Sequence, residues 1–206
     1  SSDVCSSDLA VLHGGHGGSG KDTMWAPFLW AVCGPGLVNR GLVDGDSLNS
    51  QWGYALESEV IILNELKEPE AATRRALANR LKPIIAAPPE MLTVNRKGLH
   101  PYDTVNRAFV LAFSNDPVPI TISSDDRRWF VLWSQAPIMD EAEAKLIWRW
   151  YKEGQGFEKV AKWLHSRDVS QFNPGAAPVL NDAKANLIEH SMSMAESFIV
   201  ELIRNR

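Results

Sequence analysis

A glycine-rich segment at residues 15–21, Gly15-His16-Gly17-Gly18-Ser19-Gly20-Lys21, restricts what this chain can fold into more than any other feature. Its spacing is G-x-x-x-x-G-K. The short apolar run Ala10-Val11-Leu12-His13 precedes it and reads as a buried strand. A helical stretch from Asp22 to Val32 follows, interrupted by Pro27 and ended by Gly34-Pro35-Gly36. Strand, glycine loop and helix in that order build a phosphate cradle. The glycines let backbone N–H groups turn inward and approach phosphate oxygens closely. The helix N-terminus adds its partial positive charge, and a lysine at the last position reaches the β- and γ-phosphates. The pattern predicts that Gly15, Gly17, Gly18, Ser19, Gly20, Lys21, Asp22 and Thr23 bind ATP. Asp22 stands where Ser or Thr usually ligates Mg²⁺, and Thr23 follows it. Either residue is a candidate metal ligand, directly or through water.

Strands and helices alternate downstream. Gly41 to Gln51 is polar and turn-rich. Val60-Ile61-Ile62-Leu63 is β-branched, apolar and bounded by polar residues, as a buried strand is. Pro69 opens a helix that turns Ala72, Ala76, Leu77 and Leu81 to the core, with Pro83 and Pro88-Pro89 closing the segment. Met91 to Val105 alternates around Asn95-Arg96-Lys97-Gly98 and predicts a β-hairpin. Residues 109–113 and 129–133 are two further buried strands. After Pro137 the pattern turns helical, with Phe157, Val160, Ala161 and Leu164 on one stripe. Asn173-Pro174-Gly175 is a loop, and Asn181 caps a last helix carrying Leu187, Phe198 and Leu202. The expected fold is α/β, with a mostly parallel sheet flanked by helices over residues 10–135 and a helical extension over 136–206.

Three strand-end features add chemistry to the cradle. The strand at 60–63 runs into Asn64-Glu65. In ATPases built on such a loop, an acid at this strand end helps hold Mg²⁺ or activates the attacking water. Many carry two acids in a row. Here the first position is Asn64, so Glu65 is the expected general base and Asn64 assists through hydrogen bonds. The strand at 109–113 ends in Ser114-Asn115-Asp116, and the Asn115 amide can orient water beside a γ-phosphate. Asp125-Asp126-Arg127-Arg128 lies directly before the last strand. An arginine at a subunit boundary can stabilise charge on a transferred phosphoryl group.

The formal net charge is -4, so any nucleic-acid contact must come from a local basic feature. The tip Arg96-Lys97-Gly98 supplies one. No apolar run is long enough to span a bilayer, and no signal peptide opens the chain. The two cysteines, Cys5 and Cys33, have no metal-ligand spacing and no disulfide framework, which points to a reducing cytoplasm. Residues 1–9 contain Ser-Ser-Asp twice, lack an initiator Met and resemble a translated sequencing adapter. They read as non-native, and the natural protein is expected to extend upstream.

The residues 17–23 (Gly-Gly-Ser-Gly-Lys-Asp-Thr), 61–65 (Ile-Ile-Leu-Asn-Glu), 94–98 (Val-Asn-Arg-Lys-Gly), 113–116 (Phe-Ser-Asn-Asp) and 125–130 (Asp-Asp-Arg-Arg-Trp-Phe) together resemble superfamily 3 helicases. The likeness is greatest to the helicase domains of phage and plasmid primase-helicase proteins. Order and spacing fit across about residues 10–135, and Phe172 to Gly175 looks similar to that family's C-terminal extension. The resemblance implies a P-loop, AAA+-like ATPase that forms a homo-hexameric ring and moves along single-stranded DNA during replication. A primase-polymerase domain would lie upstream, and the setting would be a host cytoplasm. It also implies that Lys21 binds phosphate, Glu65 is the Walker B acid and Asn115 the sensor. Arg127 or Arg128 would act on a neighbouring subunit's ATP. The hairpin at 95–100 would track DNA, with Arg96, Lys97 and His100 as contacts. Positive charge confined to a hairpin tip of an acidic chain is what a ring channel requires.

Two other classes fit parts of this pattern. Some small-molecule kinases use the same Gly-Lys-Asp-Thr ending, but they consume ATP only with an acceptor. A non-catalytic ATP-binding assembly module would tolerate Asn64 and Asp22 and would bind ATP without appreciable turnover.

Overall fold

The inner strands of the central sheet send alternate side chains to two buried faces, and that alternation sets the architecture. The computed structural model describes residues 9–37, 39–43, 53–66, 70–85, 91–173 and 176–192, without the side chain of Tyr54. The segments β1 (Ala10–Gly15), β2 (Arg40–Val43), β3 (Val60–Leu63), β6 (Phe109–Ser114) and β7 (Trp129–Ser134) form one sheet, in the order β2-β3-β6-β1-β7. All four pairings are parallel. On one face Leu12, Ile61, Leu63, Val110, Ala112 and Val131 join a single apolar cluster. On the other, Val11, Val60, Ile62, Leu111 and Phe113 form a second.

Helices cover both faces. Lys21–Cys33 is α1, which closes the second cluster with Leu29 and Cys33. Ala71–Ile85 is α2, which closes the first through Leu77, Leu81 and Ile85, spaced four residues apart. Leu81 is fully buried, and a side chain of that size contributes about 1.5–3 kcal/mol. Ala72 and Ala76, expected on the core face, are exposed instead. The stripe runs through Ile85, so the core side is one residue round from the expected one. Pro83 does not close the helix. It sits two residues from the end, where its missing N–H removes one hydrogen bond and the burial of Ile85 offsets that loss.

The strand β2 overlaps the start of the segment read as polar and turn-rich. It is four residues long, lies at the sheet edge and contains Gly41, so no periodicity announces it. The glycine answers a close approach: a Cβ there would lie 2.9 Å from the Cβ of Ala55, in the 3-10 turn Tyr54–Glu57.

The hairpin is present as β4 (Met91–Val94) and β5 (Tyr102–Val105), an antiparallel pair outside the main sheet. Two helices follow β7, α3 (Glu141–Glu153) and α4 (Gly156–His165), and the expected stripe of α4 faces inward at Phe157, Val160, Ala161 and Leu164. The last described helix is α5 (Asp182–Ser191), capped by the Asn181 side chain, which accepts from the Lys184 N–H at 2.9 Å. Its Leu187 joins the first cluster. Residues 1–8, Pro69, Pro88-Pro89, Pro174-Gly175, Phe198 and Leu202 lie outside the described residues. Among the described residues no helix is long and apolar enough to cross a membrane.

Candidate functional site

Five parallel strands bring their C-terminal ends to one edge of the sheet, where ligands of open α/β sheets bind. β1 stops at Gly15, and the chain turns through residues 16–20 into α1. Within that turn the Ser19 hydroxyl donates to the His16 carbonyl at 2.8 Å. Gly18 and Gly20 have φ of 75° and 82°, left-handed values that a side chain would strain. The Lys21 ammonium folds back beneath the turn and donates to the carbonyls of Gly15 and His16, both at 2.8 Å, and to Asn115 Oδ1 at 3.0 Å. Its three protons thus have three acceptors. Burial pushes the Lys21 ammonium below the ordinary lysine range, and the Asp22 carboxylate partly offsets this.

The end of β3 is pinned on both sides of Glu65. Asn64 N–H donates to Val43 O at 3.1 Å, and Leu66 N–H donates to Phe113 O at 3.0 Å. The Ser114 hydroxyl donates to Leu66 O at 2.7 Å. Glu65 bridges the two anchored residues with φ of 50°, a left-handed conformation that costs a non-glycine residue about 1–3 kcal/mol. Leu66 returns to the core while Glu65 stays exposed.

A cavity of about 680 Å³ opens between these elements. Gly17 to Thr23 line one wall, Asn64 and Glu65 a second, and Asn115 lies between them just past the end of the intervening strand β6. Met139 and Ala144, from the chain after β7, complete it. The structure therefore brings together Gly17, Gly18, Ser19, Gly20, Lys21, Asp22, Thr23, Asn64, Glu65 and Asn115. Gly15 stands outside the lining and supplies a carbonyl to Lys21.

Arg127 and Arg128 do not belong to this cavity. Arg128 O accepts from the N–H of Ala10, the first residue of β1, so both arginines sit at the N-terminal edge of the sheet. A six-residue strand separates them from the cradle edge, roughly 20 Å at 3.3 Å per residue. Their loop is more than a solvated turn. Asp126 Oδ1 accepts from the Arg128 and Trp129 N–H groups at 3.1 and 2.9 Å and from Lys184 Nζ at 3.0 Å, and the Lys184 side chain is buried.

The hairpin tip also stands apart from the cavity lining. Arg96 is ion-paired with Glu57, which fastens the hairpin to the 3-10 turn, and Gly53 N–H donates to Asn95 O at 3.1 Å. Lys97 and His100 are exposed.

Several residues around the cradle carried no sequence signal. His13 is buried on β1, and Trp25 Nε1–H donates to its Nδ1 at 3.0 Å. That bond places the imidazole proton on Nε2. Burial first, then the Lys21 charge, push His13 below the ordinary histidine range, with Asp22 opposing. Ile138 and Met139 press on the glycine turn from outside, and Met139 N–H donates to Gly18 O at 2.9 Å. Tyr151 of α3 donates its hydroxyl to Thr23 O at 3.1 Å. Ile138, Met139 and Tyr151 lie more than a hundred residues from the cradle residues they contact, and His13 and Trp25 flank the glycine spacing without belonging to it.

The profile of DUF5906, a family of unknown function, matches residues 12–128, more than half of the chain. The chain belongs to the DUF5906 family. The matched span runs from β1 to the residue before β7 and includes every cavity-lining residue up to Asn115. No curated protein matches this DUF5906 chain. Among solved structures it is similar to the apo form of the NrS-1 C-terminal region, with a TM-score of 0.74 and 22% identity, over 91% of this chain and 44% of that one. An A form of the same region gives a TM-score of 0.69 at 23% identity, over 91% and 43%. At these identities the likeness is one of fold, and the DUF5906 chain spans less than half the length of that region.

Proposed function

We propose that this chain is the ATP-hydrolysing motor domain of a DNA helicase or translocase, of the superfamily 3 type that its motifs resemble. The observation that carries the proposal is the single cavity shared by the Lys21 turn, Glu65 and Asn115. In this reading the loop is a P-loop. Its N–H groups and Lys21 hold the β- and γ-phosphates of ATP, and the α1 N-terminus adds its dipole. Glu65 accepts a proton from the water that attacks the γ-phosphorus, and Asn115 orients that water. Asn64 supports Glu65 by hydrogen bonding.

Asp22, Thr23 and Glu65 offer only oxygen donors to the cavity, the donor type Mg²⁺ prefers alongside substrate phosphates. Bound there, Mg²⁺ would neutralise phosphate charge. Arg127 and Arg128 serve a neighbouring copy, since their own cradle lies at the far end of the sheet. A homo-hexameric ring supplies such a neighbour and directs Lys97, His100 and Arg96 toward single-stranded DNA. An upstream primase-polymerase domain and action in phage or plasmid replication complete the proposal.

ATP hydrolysis with and without single-stranded DNA tests this for the parent, Lys21→Ala, Glu65→Gln and Lys97→Ala. The expected result is DNA-stimulated turnover in the parent and none in the first two variants. Lys97→Ala should keep ATP binding and lose stimulation. ATP consumption only in the presence of a small-molecule acceptor would instead establish a kinase. Binding without turnover would establish an assembly module.

A further inference from the structure

The second turn of α1 contains a proline, Pro27, that leaves a specific carbonyl of the first turn without its helical donor. Pro27 lies within α1 and has no N–H. The helical partner of that missing donor is the carbonyl four residues earlier, Thr23 O. A proline ring within a helix also crowds the carbonyl four residues earlier. Thr23 sits in the first turn of the helix and lines the cavity.

The orphaned carbonyl is met from outside the helix. Tyr151, on α3 and 128 residues away, donates its hydroxyl to Thr23 O at 3.1 Å. The ring cannot swing freely. It stacks on Phe157 at 4.9 Å between centroids, and Phe157 stacks on Trp30 of α1 at 5.9 Å. Trp148 closes edge-on against Tyr151 at 5.6 Å. Tyr151 is buried, and burial raises its phenol above the ordinary tyrosine range, which keeps the hydroxyl protonated as a donor.

We propose that Tyr151 is a positioning residue of the phosphate site, supplying to Thr23 the hydrogen bond that Pro27 withholds. It fixes the Thr23 peptide, and with it the direction of the Thr23 hydroxyl toward the metal of a bound Mg–nucleotide. This inference rests on the nucleotide-site reading given above. It makes the helical extension a working part of that site, because the device needs α1, α3 and α4 together.

The device has a chemical signature, since restoring the N–H at position 27 should make Tyr151 dispensable. The test uses this chain with a fluorescent ATP analogue, measured for the parent, Tyr151→Phe, Pro27→Ala and the double variant. The quantity read is the Mg²⁺ concentration for half-maximal nucleotide binding. Tyr151→Phe removes one oxygen and keeps the aromatic stack, and should raise that concentration about tenfold, the scale of one lost buried hydrogen bond. Metal-free binding should be unchanged, which a general loss of structure would not allow. In the Pro27→Ala background the same change should have less than about a twofold effect. An unchanged Mg²⁺ requirement in Tyr151→Phe overturns the proposal, as does an equal effect in both backgrounds. A parent that binds no nucleotide at any Mg²⁺ concentration overturns the nucleotide-site reading itself, and this inference with it.

Discussion

His13 carries a titratable ring into the apolar layer under α1, where burial and the neighbouring Lys21 make it costly to charge. Its folded pKa lies below the ordinary 6.5, because burial and the Lys21 ammonium both oppose a second proton. As pH falls, the unfolded chain takes up that proton first. Stability from this group is complete above about 6.5 and is lost as pH drops through and below that value. Urea unfolding should therefore show a lower midpoint at about pH 5.5 than at about pH 7.5. His13→Gln, whose side-chain oxygen can accept from Trp25, should reduce that difference, and an undiminished difference would show that other groups cause it. His13 was readable only as one more residue of a buried run, since nothing local says which face it takes or that Trp25 awaits it. Lys21 was readable from the glycine spacing, and Glu65 and Asn115 because each follows closely on an apolar run. In a parallel sheet those ends converge whatever the loops between them do.

Among the elements, the loop before β7 shows what sequence pattern alone misses. Asp125-Asp126-Arg127-Arg128 invites a reading of exposed charges in local pairs. Asp126 is instead an acceptor for two backbone N–H groups and for Lys184, arriving from α5 fifty-eight residues later. Removing Lys184 leaves that carboxylate unpaired in a largely buried place, so Lys184→Met should destabilise by about 3–5 kcal/mol in urea unfolding. A loss under about 1 kcal/mol would mean the pair is as weak as a surface one. The same contact holds the arginine loop against the last helix. The hairpin and the strands β3, β6 and β7 were legible because each has its own period or apolar run. β2 was not, because a four-residue edge strand with a glycine takes its conformation from pairing with β3. The continuation of α2 past Pro83 was equally hidden, since only the packing of Ile85 outweighs the proline.

Across the whole molecule, the chain after β7 packs back onto the sheet and the cradle rather than trailing from them. Met139 reaches Gly18, and Tyr151 reaches Thr23, while Asn181 Nδ2 donates to Val131 O at 2.8 Å on the sheet's outer strand. Arg127 and Arg128 lie at the opposite edge of the sheet from their own cradle. That polarity predicts that ATP turnover per chain rises with protein concentration as copies assemble. Strictly concentration-independent specific activity would remove the role proposed for a neighbouring copy. The central claim is narrower and can be measured directly, by titrating Mg–ATP calorimetrically into the parent, Lys21→Ala and Glu65→Gln. Parent and Glu65→Gln should bind with similar affinity, and Lys21→Ala should bind at least about tenfold more weakly, the scale of one charge-assisted hydrogen bond. Equal affinity in Lys21→Ala would contradict the assignment of this edge of the sheet as a nucleotide site.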